Sequence, residues 1–144
     1  MNIGPDVAVG LIECKEKPEH FLVQHRSKIN KQYPGWLEFP GGKIEINELP
    51  ENALIRELKE EVGIKVTSAE HFVVMKYLFP SGLYHTVHFF EVTSYENEPI
   101  GAEGQSIGWL TLYQILTYPN MLPLNRAAAT ILTTRRHPDI LDKE

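Results

Sequence analysis

The stretch Pro50-Glu51-Asn52-Ala53-Leu54-Ile55-Arg56-Glu57-Leu58-Lys59-Glu60-Glu61-Val62-Gly63 constrains this chain more than any other. Leu54, Ile55, Leu58 and Val62 recur at helical spacing, Pro50 suits a first helical position, and Gly63 suits a left-handed terminus. The pattern predicts a helix over Pro50–Val62. At about 100° per residue, Glu57, Glu60 and Glu61 share a second face, roughly 100° around from the apolar stripe. Such a helix docks by one side and displays its acids on another. Like charges at these spacings cost about 0.2–0.5 kcal/mol per pair, so the face is either well solvated or holds a cation. Clustered carboxylate oxygens that share a cation with phosphates suit magnesium. Spacing alone leaves both readings open. Leu49, just before the helix, stands where a Ser or Thr cap is common, which forfeits about 1 kcal/mol. Asn47 tolerates the left-handed conformation.

Around this helix, β-branched and apolar runs predict strands at Val7–Cys14, His20–Arg26, Trp36–Phe39, Phe72–Phe79, Tyr84–Val92 and Ile107–Leu110. The fourth and fifth join around Pro80-Ser81-Gly82, and Pro40-Gly41-Gly42 reads as tight backbone geometry after the third. Helical segments are expected near Leu112 and over Arg126–Thr134. Mixed strand and helix without repeats or a linker predicts one domain over residues 1–144, built around one sheet. No apolar run reaches the roughly 18 residues of a membrane span and no leader pattern opens the chain, so a cytoplasmic location is expected, with no membrane partner. The lone Cys14 is read as a small core residue. A net charge of −5 opposes binding to long nucleic acids, whereas a cation at a carboxylate cluster still admits a small polyanion. His25, His85 and His88 lack mutual metal-ligand spacing and are read as scattered surface residues.

The acidic helix completes a longer constellation: Gly42, five residues, Glu48, seven residues, Arg56-Glu57-Leu58, one residue, Glu60-Glu61, one residue, Gly63-Ile64. This resembles the signature of the Nudix hydrolases at every defined position. Trp36-Leu37-Glu38-Phe39-Pro40-Gly41-Gly42-Lys43-Ile44-Glu45 and Glu103-Gly104-Gln105 are similar to the bacterial MutT-type members of that family. The resemblance implies an α/β/α sandwich with a mixed sheet. It also implies Mg²⁺-dependent (or Mn²⁺-dependent) hydrolysis of a nucleoside triphosphate to a monophosphate and pyrophosphate, with attack on the β-phosphorus. Carried over by residue, it implies metal ligation by the Gly41 carbonyl, Glu57, Glu60 and Glu61. Glu57 is the expected base, and Glu103 a further ligand or alternative base. Gly42 and Gly63 shape the backbone, and Arg56, pointing away from the acids, pairs with Glu48 to tie loop to helix. The partner expected is a free nucleotide, acted on by a monomer or weak homodimer.

Outside the box, Arg26 stands in the family position of a substrate-contacting arginine, its fork suited to phosphate or base oxygens. Phe39 and Phe79 are expected to wall the base pocket. Asn125 in Leu122-Pro123-Leu124-Asn125 resembles the asparagine that MutT-type enzymes set against the purine. Guanine oxidised at C8 carries a hydrogen on N7, so an amide oxygen accepts from N7 while its NH₂ donates to O6. The implied substrate is therefore 8-oxo-dGTP, and the implied role sanitation of the nucleotide pool against mutation, a DNA repair and replication function. Asn125 also suits a helix cap before Arg126. Two other functions remain open: the same chemistry on another nucleotide or a nucleoside diphosphate derivative, and a silent nucleotide-binding module.

Overall fold

The computed structural model describes residues 2–139. Its elements are β1 (Val7–Ile12), β2 (His20–His25), β3 (Leu37–Glu38), β4 (Gly41–Lys43), α1 (Pro50–Val62), β5 (Lys65–Leu78), β6 (Tyr84–Glu96), β7 (Ile107–Thr111), α2 (Leu112–Thr117) and α3 (Pro123–Arg136). β1 is buried from Ala8 to Ile12, as a strand covered on both faces must be. Period-2 alternation sorts its side chains into two cores. Ala8 and Ile12 join Leu54, Leu58 and Val62 of α1 with Phe90 and Val92. Val9 and Leu11 join Phe21, Phe89, Ile115, Ala128 and Leu132, so that α2 and α3 cover the opposite side. The layers are α/β/α, as the resemblance implies.

The strands form two sheets rather than one, a mixed four-stranded sheet in the order β4-β1-β6-β5 and an antiparallel three-stranded sheet in the order β3-β2-β7. The reason lies in β1. It pairs antiparallel with β4 and parallel with β6, so both its edges are taken and β2 must pair elsewhere. The two sheets stay linked where Cys14 N–H donates to the His20 carbonyl at 2.8 Å. Cys14 itself is buried, as expected.

Three differences from expectation bear on the site. The tight backbone geometry expected at Pro40-Gly41-Gly42 belongs to a strand rather than a loop: Gly41 and Gly42 lie in β4, with Ala8 opposite Gly42 and Val9 opposite Gly41, and neither has positive φ. β5 begins at Lys65 rather than Phe72, because register shifts between Val66 and Ser68, Ser68 and Ala69, and His71 and Val73 break the alternation by which a strand is read. α3 begins at Pro123 rather than Arg126, with proline in the first turn. α1 has the expected bounds, an N-terminus without a side-chain cap at Leu49, and Gly63 in the left-handed conformation at φ 70°. Asn47 is left-handed too, at φ 65°. No described helix is long and apolar enough to cross a membrane.

Candidate active site

The apolar stripe of α1 docks on the four-stranded sheet, and this places its acidic side along β4. Glu61 is held on both oxygens: Gly41 N–H donates to Oε2 at 2.9 Å and Gln24 Nε2 donates to Oε1 at 2.8 Å. Burial pushes the Glu61 carboxyl up to about 7 against those two hydrogen bonds, and the charges of Glu38 and Glu103 push it the same way as burial. Glu57 lies against Gly42, where a Cβ would sit 2.2 Å from the carboxyl carbon. A Cβ on Gly41 would sit 2.2 Å from the Ala8 carbonyl oxygen. Gly41 is therefore demanded by close approach of backbone rather than by dihedral freedom, whereas a side chain at Gly42 would displace the Glu57 carboxylate.

Arg56 departs from expectation. Its Nε and Nη2 donate to Glu48 at 2.9 and 2.8 Å, and Nη2 also donates to the Lys43 carbonyl at 3.0 Å, tying loop to helix as anticipated. It does not, however, point away from the acids. Nη1 donates to Glu57 Oε1 at 2.9 Å and lies 3.7 Å from Glu60 Oε2, because the long fork spans the angle between adjacent helical positions. The Arg56 hydrogen bonds hold Glu48 down at about 2. Glu103 is an exposed residue of the loop after β6, and its charge is felt at Glu61.

The donor set fits a divalent cation. Glu61 is a half-buried acid whose neighbours Glu38 and Glu103 are both carboxylates, and a cation there stabilises its ionised form. Among the described residues no group of three or more His, Cys, Asp or Glu is converged on a ligating geometry. Arg56 Nη1 faces Glu57 Oε1 and Glu60 Oε2, which leaves the other oxygen of each carboxylate for a cation.

A cleft of about 560 Å³ opens beside this face, ending at Gly41 and Gly42 and lined by Arg26, Glu38, Phe79 and Asn125. Asn125 is 7% exposed. It is not a cap: Leu122 holds that position, and Asn125 lies in the first turn of α3. Its Oδ1 accepts from Phe39 N–H at 2.7 Å. Only an oxygen accepts that bond, so the orientation of the amide is settled, with its NH₂ left for the cleft. Phe39 is 2% exposed and belongs to the core, so it borders the cleft mainly as backbone and support. Phe79 is partly buried, packed edge-on against Tyr77 and His85. Arg26 lies just past β2 with Nη1 on Glu38 at 2.8 Å and Nε on the Gln32 carbonyl at 3.1 Å, so its fork is partly committed.

Two cleft or site residues escaped the sequence. His85 is half-buried and lines the cleft rather than lying free on the surface, its Nδ1 at 2.7 Å from the Pro5 carbonyl. Gln24 is 3% exposed and bridges Glu61, Glu38 and Gln105. Its signal was available: alternation places it on the same side of β2 as Leu22, a core position where an amide needs partners.

The NUDIX domain family matches residues 4–134. An 8-oxo-dGTP diphosphatase of Escherichia coli is 42% identical over 106 residues, 74% of this chain and 79% of that protein. A CTP pyrophosphohydrolase of the same organism is 33% identical over 114 residues, 79% of this chain and 81% of that protein. Among solved structures, a MutT from work on the Aliivibrio salmonicida and Vibrio cholerae proteins superposes with a TM-score of 0.75 at 29% identity, covering 91% of this chain and 98% of that one.

Proposed function

The chain belongs to the NUDIX family, and from that premise we propose that it hydrolyses a nucleoside triphosphate to a nucleoside monophosphate and pyrophosphate, with 8-oxo-dGTP as its preferred substrate. NUDIX hydrolases are generally dependent on a divalent metal; we assign Mg²⁺, held by Glu57, Glu60, Glu61, Glu103 and the Gly41 carbonyl. A bound metal would neutralise triphosphate charge and stabilise the charge that develops on the departing nucleoside monophosphate as water attacks the β-phosphorus. The chain's own residues do the rest. Glu57, in contact with β4 at the end of the cleft, accepts the proton of the attacking water, and Glu103 is the alternative base. Glu48 and Arg56 hold the loop and helix together around this pair of tasks.

The observation that carries the substrate is the orientation of Asn125. Phe39 N–H takes one lone pair of Oδ1 and leaves the other, while the NH₂ is free. That amide accepts from the N7 hydrogen of 8-oxoguanine and donates to O6; ordinary guanine presents an acceptor at N7 and leaves the buried oxygen facing a lone pair. We take residues 1–144 as one domain acting on free nucleotides in the cytoplasm, as a monomer or weak dimer. Steady-state kinetics test the reading: kcat/KM for 8-oxo-dGTP is expected to exceed that for dGTP by about 10²-fold or more. Equal values sink the specificity and leave the hydrolase. The similarity to a CTP pyrophosphohydrolase supports a second reading, the same machinery on another nucleotide, and CTP in the same panel decides between them.

A further inference from the structure

Gln24 has no part in the expected chemistry, yet it sits at the centre of the hydrogen-bond network around Glu61. It is 3% exposed in the strand run Phe21-Leu22-Val23-Gln24, where an unpaired amide would cost about 1–3 kcal/mol. Both its N–H donors are used and its oxygen has a partner: Nε2 donates to Glu61 Oε1 at 2.8 Å and to Glu38 Oε2 at 3.1 Å, and Oε1 accepts from Gln105 Nε2 at 3.0 Å. Gln105 Nε2 also reaches the Glu61 carbonyl at 2.9 Å, and its own Oε1 accepts from Glu103 N–H at 2.9 Å.

Each of these bonds restricts the next. Gln105 fixes which end of the Gln24 amide is oxygen. The NH₂ end then has no alternative to facing the two acids, and Glu38, itself clamped by Arg26 at 2.8 Å, stops it from swinging away. With Gln24 on Oε1 and Gly41 N–H on Oε2, the Glu61 carboxylate is oriented from both sides while each oxygen retains a lone pair. Outer partners of this kind set the orientation of a ligating carboxylate, and their loss typically costs 10–100-fold in metal affinity or activity.

We propose that Gln24 is a positioning residue of the active site, which orients Glu61 for the divalent cation by donating to Glu61 and Glu38 at once. The proposal rests on Glu61 being a metal ligand, as assigned above. Gln24 touches neither nucleotide nor attacking water; it acts through Glu61.

The test uses Gln24→Met, which keeps length and loses both donors, and Gln24→Asn, which keeps a buried amide but is a methylene too short to span both acids. Mn²⁺ binding to each full-length protein without nucleotide, followed by electron paramagnetic resonance, is expected to weaken about 10-fold or more. The Mg²⁺ concentration for half-maximal hydrolysis is expected to rise by a similar factor, with kcat at saturating Mg²⁺ within about threefold of the original. Thermal denaturation runs alongside. Mn²⁺ bound as tightly as in the unmodified protein, with only the melting temperature lowered, overturns the proposal and makes Gln24 a packing residue. Should Gln24→Met fail to fold, Gln24→Asn alone decides in the same way. The two readings fail separately. An unmodified protein that binds Mn²⁺ in a Gln24-dependent manner but cleaves no nucleoside triphosphate sinks the proposed function and keeps the role of Gln24. An active unmodified protein whose variants match it in Mn²⁺ affinity does the reverse.

Discussion

The acidic side of α1 and the nucleotide cleft meet at Gly41 and Gly42, yet they are built in opposite ways. The acidic side is local: β4, one loop and one helix carry Gly41, Gly42, Glu48, Arg56, Glu57, Glu60 and Glu61 within a short stretch of chain. The cleft is assembled from afar, its key bond joining Phe39 to Asn125 across 86 residues. A local site keeps its spacing as long as the helix forms. A distant one depends on how α3 settles against β3, so small shifts in packing retune it. On this view the acids carry the reaction and the cleft carries the choice of base.

The sharpest way to break that division is to strike the acid half alone. Glu57→Gln removes one charge and the base while keeping shape, and kcat for every nucleotide is expected to fall about 10²–10⁴-fold with the melting curve little changed. The ratio of 8-oxo-dGTP to dGTP turnover should survive. Unchanged kcat transfers the role to another residue, with Glu103 next to be substituted. A collapse of the ratio instead couples the two halves.

The complementary change is Asn125→Asp, compared with Asn125→Ala. Aspartate still accepts from Phe39 N–H but has no NH₂ for the base, whereas alanine leaves that buried donor unpaired at about 1–3 kcal/mol. Both are expected to lose about 10²-fold in kcat/KM for 8-oxo-dGTP relative to dGTP, and only the alanine variant to lose stability as well. Discrimination retained in Asn125→Asp shows that another group reads the base, and His85 or Arg26 becomes the candidate.

The same contrast governs what the sequence could disclose. The helix was legible to its end residues because an amphipathic stripe, a first-turn proline and a terminal glycine all lie inside it. So was the set of acids, because their grouping is a matter of spacing along one helix. The roles of Gly41 and Gly42 were not: a Cβ would meet the Ala8 backbone on a neighbouring strand in one case and the Glu57 carboxyl in the other, both contacts made only on folding. Arg56 was placed by its Cα direction, which says little about where a long fork ends. Asn125 stood out as a residue, but a bond to Phe39 across the fold, and with it the orientation of the amide, follows only once α3 is known to begin at Pro123. The bulges of β5 hid half a strand for the same reason: they interrupt the alternation that marks one.

A pH series separates the two parts of the acidic half itself. Glu61 is raised to about 7 from an ordinary 4.5, so its contribution to stability is complete below 4.5 and is lost as pH rises through 7. Glu48 is lowered to about 2, so its contribution is present above 4.5 and is lost as pH falls through 2. A bound cation favours the ionised form of Glu61, whereas Glu48 is not among the assigned ligands. The rise in melting temperature on adding Mg²⁺ is therefore expected to be small at pH 5 and several degrees larger at pH 8. Glu48→Gln should lower the melting temperature at pH 7 and leave this Mg²⁺ increment as it was. A Mg²⁺ increment independent of pH removes Glu61 from the ligand set.

The smallest effect tests whether the acid half depends on its own weak end. Leu49 precedes α1 at φ −72° and ψ 145°, dihedrals that suit a capping serine, and it is 66% exposed, so its removal forfeits little burial. Leu49→Ser supplies an oxygen for the free N–H groups of the first turn and is expected to add about 1 kcal/mol, a rise in melting temperature of roughly 2–4 °C. The acids lie in the second half of the helix, beyond the first turn that a cap firms. Kinetic constants and the base ratio should therefore stay within about twofold, a change below 0.5 kcal/mol. A slower, more stable enzyme would mean that the loop from Glu45 to Leu49 must move during turnover. In that case the acid half is less rigid than its helix, and its distinction from the cleft lies in sequence distance rather than in stiffness.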